Sequence, residues 1–197
     1  MTTNTPLTVP WKAGSWTTMP VSAVEQDDHL LVTAVEGSDA WRRTAYGYIN
    51  DDAHELLEHW DRAHAVEVAF SAGFDSQFDQ AGMMIRIDEE RWIKAGVEFA
   101  DGELQLGAVV TNGYSDWSTG AVPDWAGKEI TIRASRMADA VAIRARAGDG
   151  PWRLVRLAPF DPDAEAKAGP FCCAPSRAGL TVSFSAWQLT EPDQDLH

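Results

Sequence analysis

Between Ala81 and Trp117 the chain reads AGMMIRIDEERWIKAGVEFADGELQLGAVVTNGYSDW, three runs in which apolar and polar residues alternate. Alternation at period two marks a strand with one buried face. Asp101-Gly102 sits between two of the runs, and both residue types tolerate the positive φ that a two-residue hairpin demands. That turn puts Ile93, Ala95, Val97 and Phe99 on the same face as Leu104, Leu106, Ala108 and Val110. A first turn near Glu89–Arg91 with the same parity adds Met83, Ile85 and Ile87, opposite Val97, Ala95 and Ile93. Slipping any strand by one residue would bury Arg86, Lys94 and Glu98, so the facing is strongly specified. The stretch therefore predicts a three-stranded meander with a continuous apolar face, which has to pack on a second layer.

The opposite face of the same meander carries the chemistry. In this register Met84, Gly96 and Gly107 form one row, Gly82, Glu98 and Gln105 a second, and Arg86, Lys94 and Val109 a third. Adjacent glycines leave a trough between polar groups, with Trp92 at its end beside Asp88. Arg86 opposite Lys94 is an unfavourable like-charge pair that calls for a carboxylate, a ligand or a covering loop. Interior strand glycines also serve sheet curvature, in which case a loop of the protein fills the trough. The candidate ligand-binding residues are Tyr46, His54, Arg86, Trp92, Lys94, Glu98, Gln105 and Trp117. Arg and Lys donate to hydroxyls or carboxylates, Glu and Gln accept, and planar indoles stack on apolar sugar faces.

Elsewhere the chain repeats the strand pattern. Runs at His29–Val35, Trp41–Ile49, Ala53–Trp60, Ala65–Ala72, Glu129–Ser135, Ala140–Ala147, Trp152–Leu157 and Gly179–Leu189 alternate or are β-rich, with turn signals at spacings of about 8–12 residues. No long stretch has helical periodicity. The expected fold is all-β, a two-sheet antiparallel β-sandwich or jelly roll. One domain is expected over residues 1–197, with a core at about 11–189 and a polar tail at 190–197. With 197 residues, 45% hydrophobic, the chain is long enough for a sizeable core. Its net charge of −14 disfavours nucleic acid and anionic membranes as partners. The start lacks a basic region followed by an apolar run, and no apolar stretch reaches the ~18 residues of a spanning helix. The expectation is a cytoplasmic protein. The only two cysteines, Cys172 and Cys173, are adjacent and read as buried thiols rather than a disulfide. Of the nine tryptophans, Trp92, Trp117 and Trp125 lie near turns and are the better ligand candidates.

Catalytic signatures are sparse. There is no nucleophile elbow, no phosphate-binding glycine loop and no zinc spacing. Asn112, Asp75, Asp79 and Asp116 are loop oxygens without a calcium-loop spacing, and no metal or cofactor is expected. If the chain is a hydrolase, Glu98 and Asp88 are the candidate catalytic carboxylates.

Four segments carry a resemblance that spans nearly the whole chain, from about Trp11 to Leu189. MMIRIDEERWIKAGVEFADG with VVTNGYSDWS, DAWRRTAYGYINDDAH, FDSQFDQAG, and GPFCCAPSRAGLTVSFSAWQL are similar to blocks of the family known as domain of unknown function 1349, which is regulation-of-enolase-protein-like. The resemblance implies a concanavalin-A-like lectin/glucanase jelly roll and carries no activity over. The E-x-D-x-x-E signature of glucanases on that fold is absent. The sequence thus favours a non-enzymatic, lectin-like module for a carbohydrate or another polar small molecule. The alternatives are a protein-interaction or regulatory domain of central metabolism with a protein partner and, further off, a glycoside hydrolase or lyase.

Overall fold

The structure, a computed structural model, describes residues 5–196. Its strands in chain order are β1 Leu7–Thr8, β2 Ser15–Trp16, β3 Ser22–Gln26, β4 His29–Thr33, β5 Ala40–Arg42, β6 Ile49–Asp51, β7 His54–His59, β8 Ala65–Ala72 and β9 Gln80–Arg86. They continue as β10 Arg91–Ala100, β11 Glu103–Asn112, β12 Tyr114–Ala121, β13 Ile130–Arg136, β14 Ala140–Ala147, β15 Arg153–Pro159, β16 Lys167–Cys173 and β17 Thr181–Thr190. Helix among the described residues is confined to two short 3₁₀ turns, Trp11–Ala13 and Pro123–Trp125.

Two large antiparallel sheets make the sandwich. One has the order β15-β14-β13-β8-β17-β4-β3, with β1 added beside β17. The other has the order β12-β11-β10-β9-β16-β7-β2, and β5 and β6 form a separate hairpin. The main core lies between the sheets, where Met83, Ile85, Ile93, Ala95 and Val97 meet Val68, Phe70, Ile130, Ile132, Val182 and Phe184. Leu106 and Val110 are half-buried against it.

The central meander forms as its alternation demands. Asp101 and Gly102 take φ of 55° and 85°, the doubly left-handed turn that fixes β10 against β11. Gly96 faces Gly107, Val97 faces Leu106 and Glu98 faces Gln105. On the β9 side the faces are as expected but the register is two residues away, with Val97 opposite Ala81 and Ala95 opposite Met83. The cause is the Asp88 side chain. Its Oδ1 accepts the Glu90 and Arg91 amides at 2.9 and 2.8 Å, which sets the three-residue turn at 88–90, one residue earlier than expected. Arg86 consequently faces Trp92 rather than Lys94, and the expected like-charge pair does not form.

Other departures are local. Trp41–Ile49 is not one strand but the hairpin β5–β6, whose tip reverses through left-handed Arg43, Ala45 and Gly47. Ser115–Trp117 belongs to a fourth meander strand beside β11. The acidic stretch after Phe160 leads into β16, which inserts between β9 and β7.

Candidate functional site

The trough is real but differently built. Phe171, Gly82, Gly96, Gly107 and Thr119 face one another in a row across five strands. A Cβ on Gly96 would stand 2.1 Å from the Ala81 carbonyl oxygen, one on Gly82 2.1 Å from that of Ala95, and one on Gly107 2.2 Å from that of Ser118. Neighbouring backbone thus occupies the place of a side chain, so the three glycines answer to sheet geometry first. A leucine at Gly107 would disrupt the sheet rather than simply plug a groove.

Lys94 then lies across this row. It belongs to the row of Met84 and Val109, yet its Nζ donates to Gln80 Oε1 at 2.9 Å, in the row of Glu98 beyond the glycines. The same ammonium donates to Asp39 Oδ1 at 3.1 Å. Burial alone would depress the Lys94 ammonium, but Asp39, with help from the Glu98 charge, holds it above its ordinary value. Asp39 sits just before β5 and ties the hairpin down.

Above Lys94 opens a cavity of about 170 Å³. Its floor is Gln80, Lys94, Glu98 and Val109, with Asp39 at the side. Its walls are Trp41, Tyr46 and Tyr48 from the hairpin, Trp117 from β12, and Phe78 and Pro175 from two loops. The walls are braced. Tyr46 stacks on Tyr48 at 5.8 Å with 21° between planes, and Trp41 meets Tyr46 and Trp117 edge-on at 5.8 and 6.3 Å. The Trp41 indole N–H is pinned by the Thr44 carbonyl at 2.9 Å. Phe78 holds a left-handed φ of 66°, a strained conformation for a non-glycine residue and of the kind that clusters at binding sites.

Glu98 is the chemically unusual member. Its side chain is 8% exposed and its Oε1 has no hydrogen-bond partner. Burial pushes its carboxyl up to about 7, with the Asp39 charge acting in the same sense, while Lys94 and the Trp117 indole oppose. A buried acceptor left without a partner beside a cavity is costly unless a donor reaches it.

Tyr46, Lys94, Glu98 and Trp117 are therefore brought together as expected, and four other candidates are not. His54 points into the inter-sheet side. Its Nε2 accepts the Val35 amide at 2.9 Å and its Nδ1 donates to the Thr18 carbonyl at 3.2 Å, a neutral, fully used imidazole that burial holds below its ordinary value. Arg86 is held by Glu55 through two hydrogen bonds and by Asp51 at 2.7 Å. Trp92 is 2% exposed and packs beneath the hairpin with Trp41, Met84 and Val109, so it offers no stacking face. Gln105 accepts from Thr119 at 2.7 Å and donates to the Ala100 carbonyl at 3.3 Å, outside the cavity. Trp125, also expected near a ligand, is buried in the core at 3% exposure.

Asp88 is excluded as a partner of Glu98. It lies in the β9–β10 turn, paired with Arg91 at 2.6 Å. Glu98 is seven residues up the strand from Arg91, on the order of 20 Å at ~3.3 Å per residue, where a hydrolytic pair needs about 5–9.5 Å. The loop carboxylates are engaged too: Asp79 holds Arg177 at 2.7 Å and Asp116 holds Arg156 at 2.8 Å. No cluster of three or more metal-ligating side chains occurs among the described residues.

Asp39, Trp41, Tyr48, Phe78, Gln80 and Pro175 were not among the candidates. Asp39 carried one legible signal, because a lysine that has to be accommodated on the outer face of a half-apolar strand needs an anion and the DAWRRTAYGY block supplies one.

A β-sandwich whose outer sheet face carries an aromatic-walled polar pocket defines the class, a jelly-roll domain. Residues 16–192 match the family described as "Protein of unknown function (DUF1349)", and the chain belongs to it. It is 38% identical over 179 residues to "Regulation of enolase protein 1" of Saccharomyces cerevisiae, covering 91% of this chain and 90% of that one. A crystal structure of a functionally unknown protein from the same yeast superposes with a TM-score of 0.86 at 36% identity, covering 94% of this chain and 100% of the other. The carbohydrate binding module CBM66 from Bacillus subtilis shares the fold at 14% identity with a TM-score of 0.55, covering 91% and 97% of the two chains.

Proposed function

We propose that the pocket over Lys94 binds a carbohydrate or a similarly hydroxylated small molecule, without catalysing its conversion. The observation that carries this reading is the unpartnered Glu98 oxygen at the floor of an aromatic-walled cavity, beside a lysine with donor capacity to spare. An ammonium has three N–H donors, and Asp39 and Gln80 take one each. A hydroxyl placed between them both donates to Glu98 and accepts from Lys94, while Trp117 and Tyr46 offer faces to the apolar side of a ring. The fold shared with a carbohydrate binding module is consistent with this reading. Asp39 is the other carboxylate at the pocket and is committed to Lys94, which supports reading the site as non-catalytic. The two free, buried cysteines suit a cytoplasmic setting.

A glycan array followed by saturation-transfer NMR tests the proposal. Binding is expected for the wild-type protein, weakened in Glu98→Gln and lost in Trp117→Ala. Retained binding in both variants would move the site elsewhere. A second reading, a regulatory domain with a protein partner, draws on the name of the yeast relative and on the exposed Tyr46, Tyr48, Ile49 and Tyr114 around the hairpin. Affinity capture with an Ile49→Ala/Tyr114→Ala control separates the two, because a partner docked on the rim loses contact while the pocket walls and floor stay intact.

A further inference from the structure

The volume and enclosure of the pocket restrict what it takes. Sites that bury drug-sized ligands enclose roughly 300–1,000 Å³, whereas this cavity holds about 170 Å³. It is also walled on three sides by different parts of the chain. The β5–β6 hairpin closes one side with Trp41, Tyr46 and Tyr48, β12 closes another with Trp117, and the loops carrying Phe78 and Pro175 close the third. A groove for the middle of a glycan chain needs an exit at both ends along the sheet. Here one end meets the hairpin, which is fastened at its base by Asp39 to Lys94, by Asp51 to Arg86 and by Arg42 to Glu90. The other meets Phe78, fixed by an amide hydrogen bond to the Phe99 carbonyl at 2.6 Å.

The geometry points to a site for one sugar ring, either a free monosaccharide or the terminal ring of a chain, held by neighbouring hydroxyls that bridge Glu98 and Lys94. This rests on the carbohydrate reading and sharpens it. Vicinal hydroxyls suit the floor because they present a donor and an acceptor side by side, matching an open carboxyl oxygen and an ammonium hydrogen. The braced aromatic walls mean that little side-chain freedom is lost on binding, which favours recognition of a small ligand with few contacts.

Glu98 also gives the site a signature that an unrelated sugar-binding surface would not share. The charged and titratable groups facing it are Lys94 from its own strand, Asp39 from the hairpin, Asp101 from the adjoining turn and the Cys173 thiol from β16. A ligand hydroxyl donates better to the carboxylate than to the carboxylic acid, so ligand binding and proton release by Glu98 are coupled.

The test uses D-glucose, D-galactose, D-mannose, D-xylose, L-arabinose and D-fructose as probes, with their methyl glycosides and, for glucose and xylose, cellotetraose and xylotetraose. Binding is followed by ligand-observed NMR and calorimetry. For each probe that binds, the tetrasaccharide is expected to be no more than about threefold tighter than its monosaccharide. Methyl glycosides distinguish the sources: binding that survives methylation at the anomeric oxygen assigns the terminal ring of a chain, and binding lost on methylation assigns the free sugar. Affinity should rise several-fold between pH 5.5 and pH 8 and become flat in Glu98→Gln. A tetrasaccharide more than tenfold tighter than its monosaccharide, through a Glu98-dependent site, would overturn the single-ring inference and leave the carbohydrate reading standing. Binding indifferent to both pH and Glu98→Gln would overturn the bridging role. If no probe binds, the carbohydrate reading itself falls and takes this inference with it.

Discussion

Along β10, Ile93, Ala95 and Val97 point toward the second sheet while Trp92, Lys94 and Glu98 point away, and both sets are buried. The inner face is closed by aliphatic packing between two sheets. The outer face is closed by the β5–β6 hairpin, and its polar members are satisfied by charge: Lys94 by Asp39, Arg86 by Glu55 and Asp51. Burial alone therefore does not distinguish a core from a site. What differs is the means. Packing is tolerant and local, whereas a buried charge needs a particular partner from a distant segment, and Glu98 Oε1, left without one beside the pocket, is the group on which the proposed ligand site rests.

The contrast can be broken most forcefully at Arg86. Arg86→Met leaves the Glu55 carboxylate buried without its cation, and a loss of about 3–5 kcal/mol is expected in urea unfolding. A loss below about 1 kcal/mol would mean that the outer face does not depend on ion pairing. Glu98 gives the next effect and the opposite kind of information. Its carboxyl ionises near 4.5 when unfolded and at about 7 when folded. Between those values the unfolded chain has released the proton and the folded chain has kept it, so stability falls as pH rises from about 4.5 to about 7 and is level above. The fall amounts to ~3 kcal/mol at most. Glu98→Gln should remove this component, seen as the difference between the two proteins' stability-against-pH curves; superimposable curves would contradict the buried, open carboxyl.

Val97 calibrates the inner face. Val97→Ala removes two buried methyls and should cost about 2 kcal/mol, independent of pH. Smallest is Trp117, which is 41% exposed. Trp117→Ala should change stability by less than about 1 kcal/mol while abolishing ligand binding. A much larger destabilisation would make that ring a structural prop.

The inner face was legible because alternation and the Asp101-Gly102 turn are local signals. They place Ile93, Ala95 and Val97 with Leu104 and Ala108, as observed. The two-residue shift against β9 was hidden because parity survives it, and only the Asp88 hydrogen bonds set where the turn falls. Lys94 and Glu98 were readable as charges on a face that had to be accommodated. The partner of Lys94, Asp39, lies 55 residues from it in sequence, and nothing short of the folded hairpin brings the two together. His54 misled for a related reason: strand parity was not fixed by any turn near β7, and the ring faces the core side.

Cys172 and Cys173 divide along the same line. Successive strand residues face opposite ways, and the first packs in the inter-sheet core while the second packs beneath the hairpin. Both thiols are free, and burial pushes Cys172 up to about 12 and raises Cys173 as well. Neither reacts with an alkylating reagent until its own cover opens. The chain thus contains two clocks one residue apart, with Cys173 timing the lifting of the hairpin and Cys172 the parting of the sheets. Ligand that braces the hairpin should slow the first clock and leave the second to global unfolding.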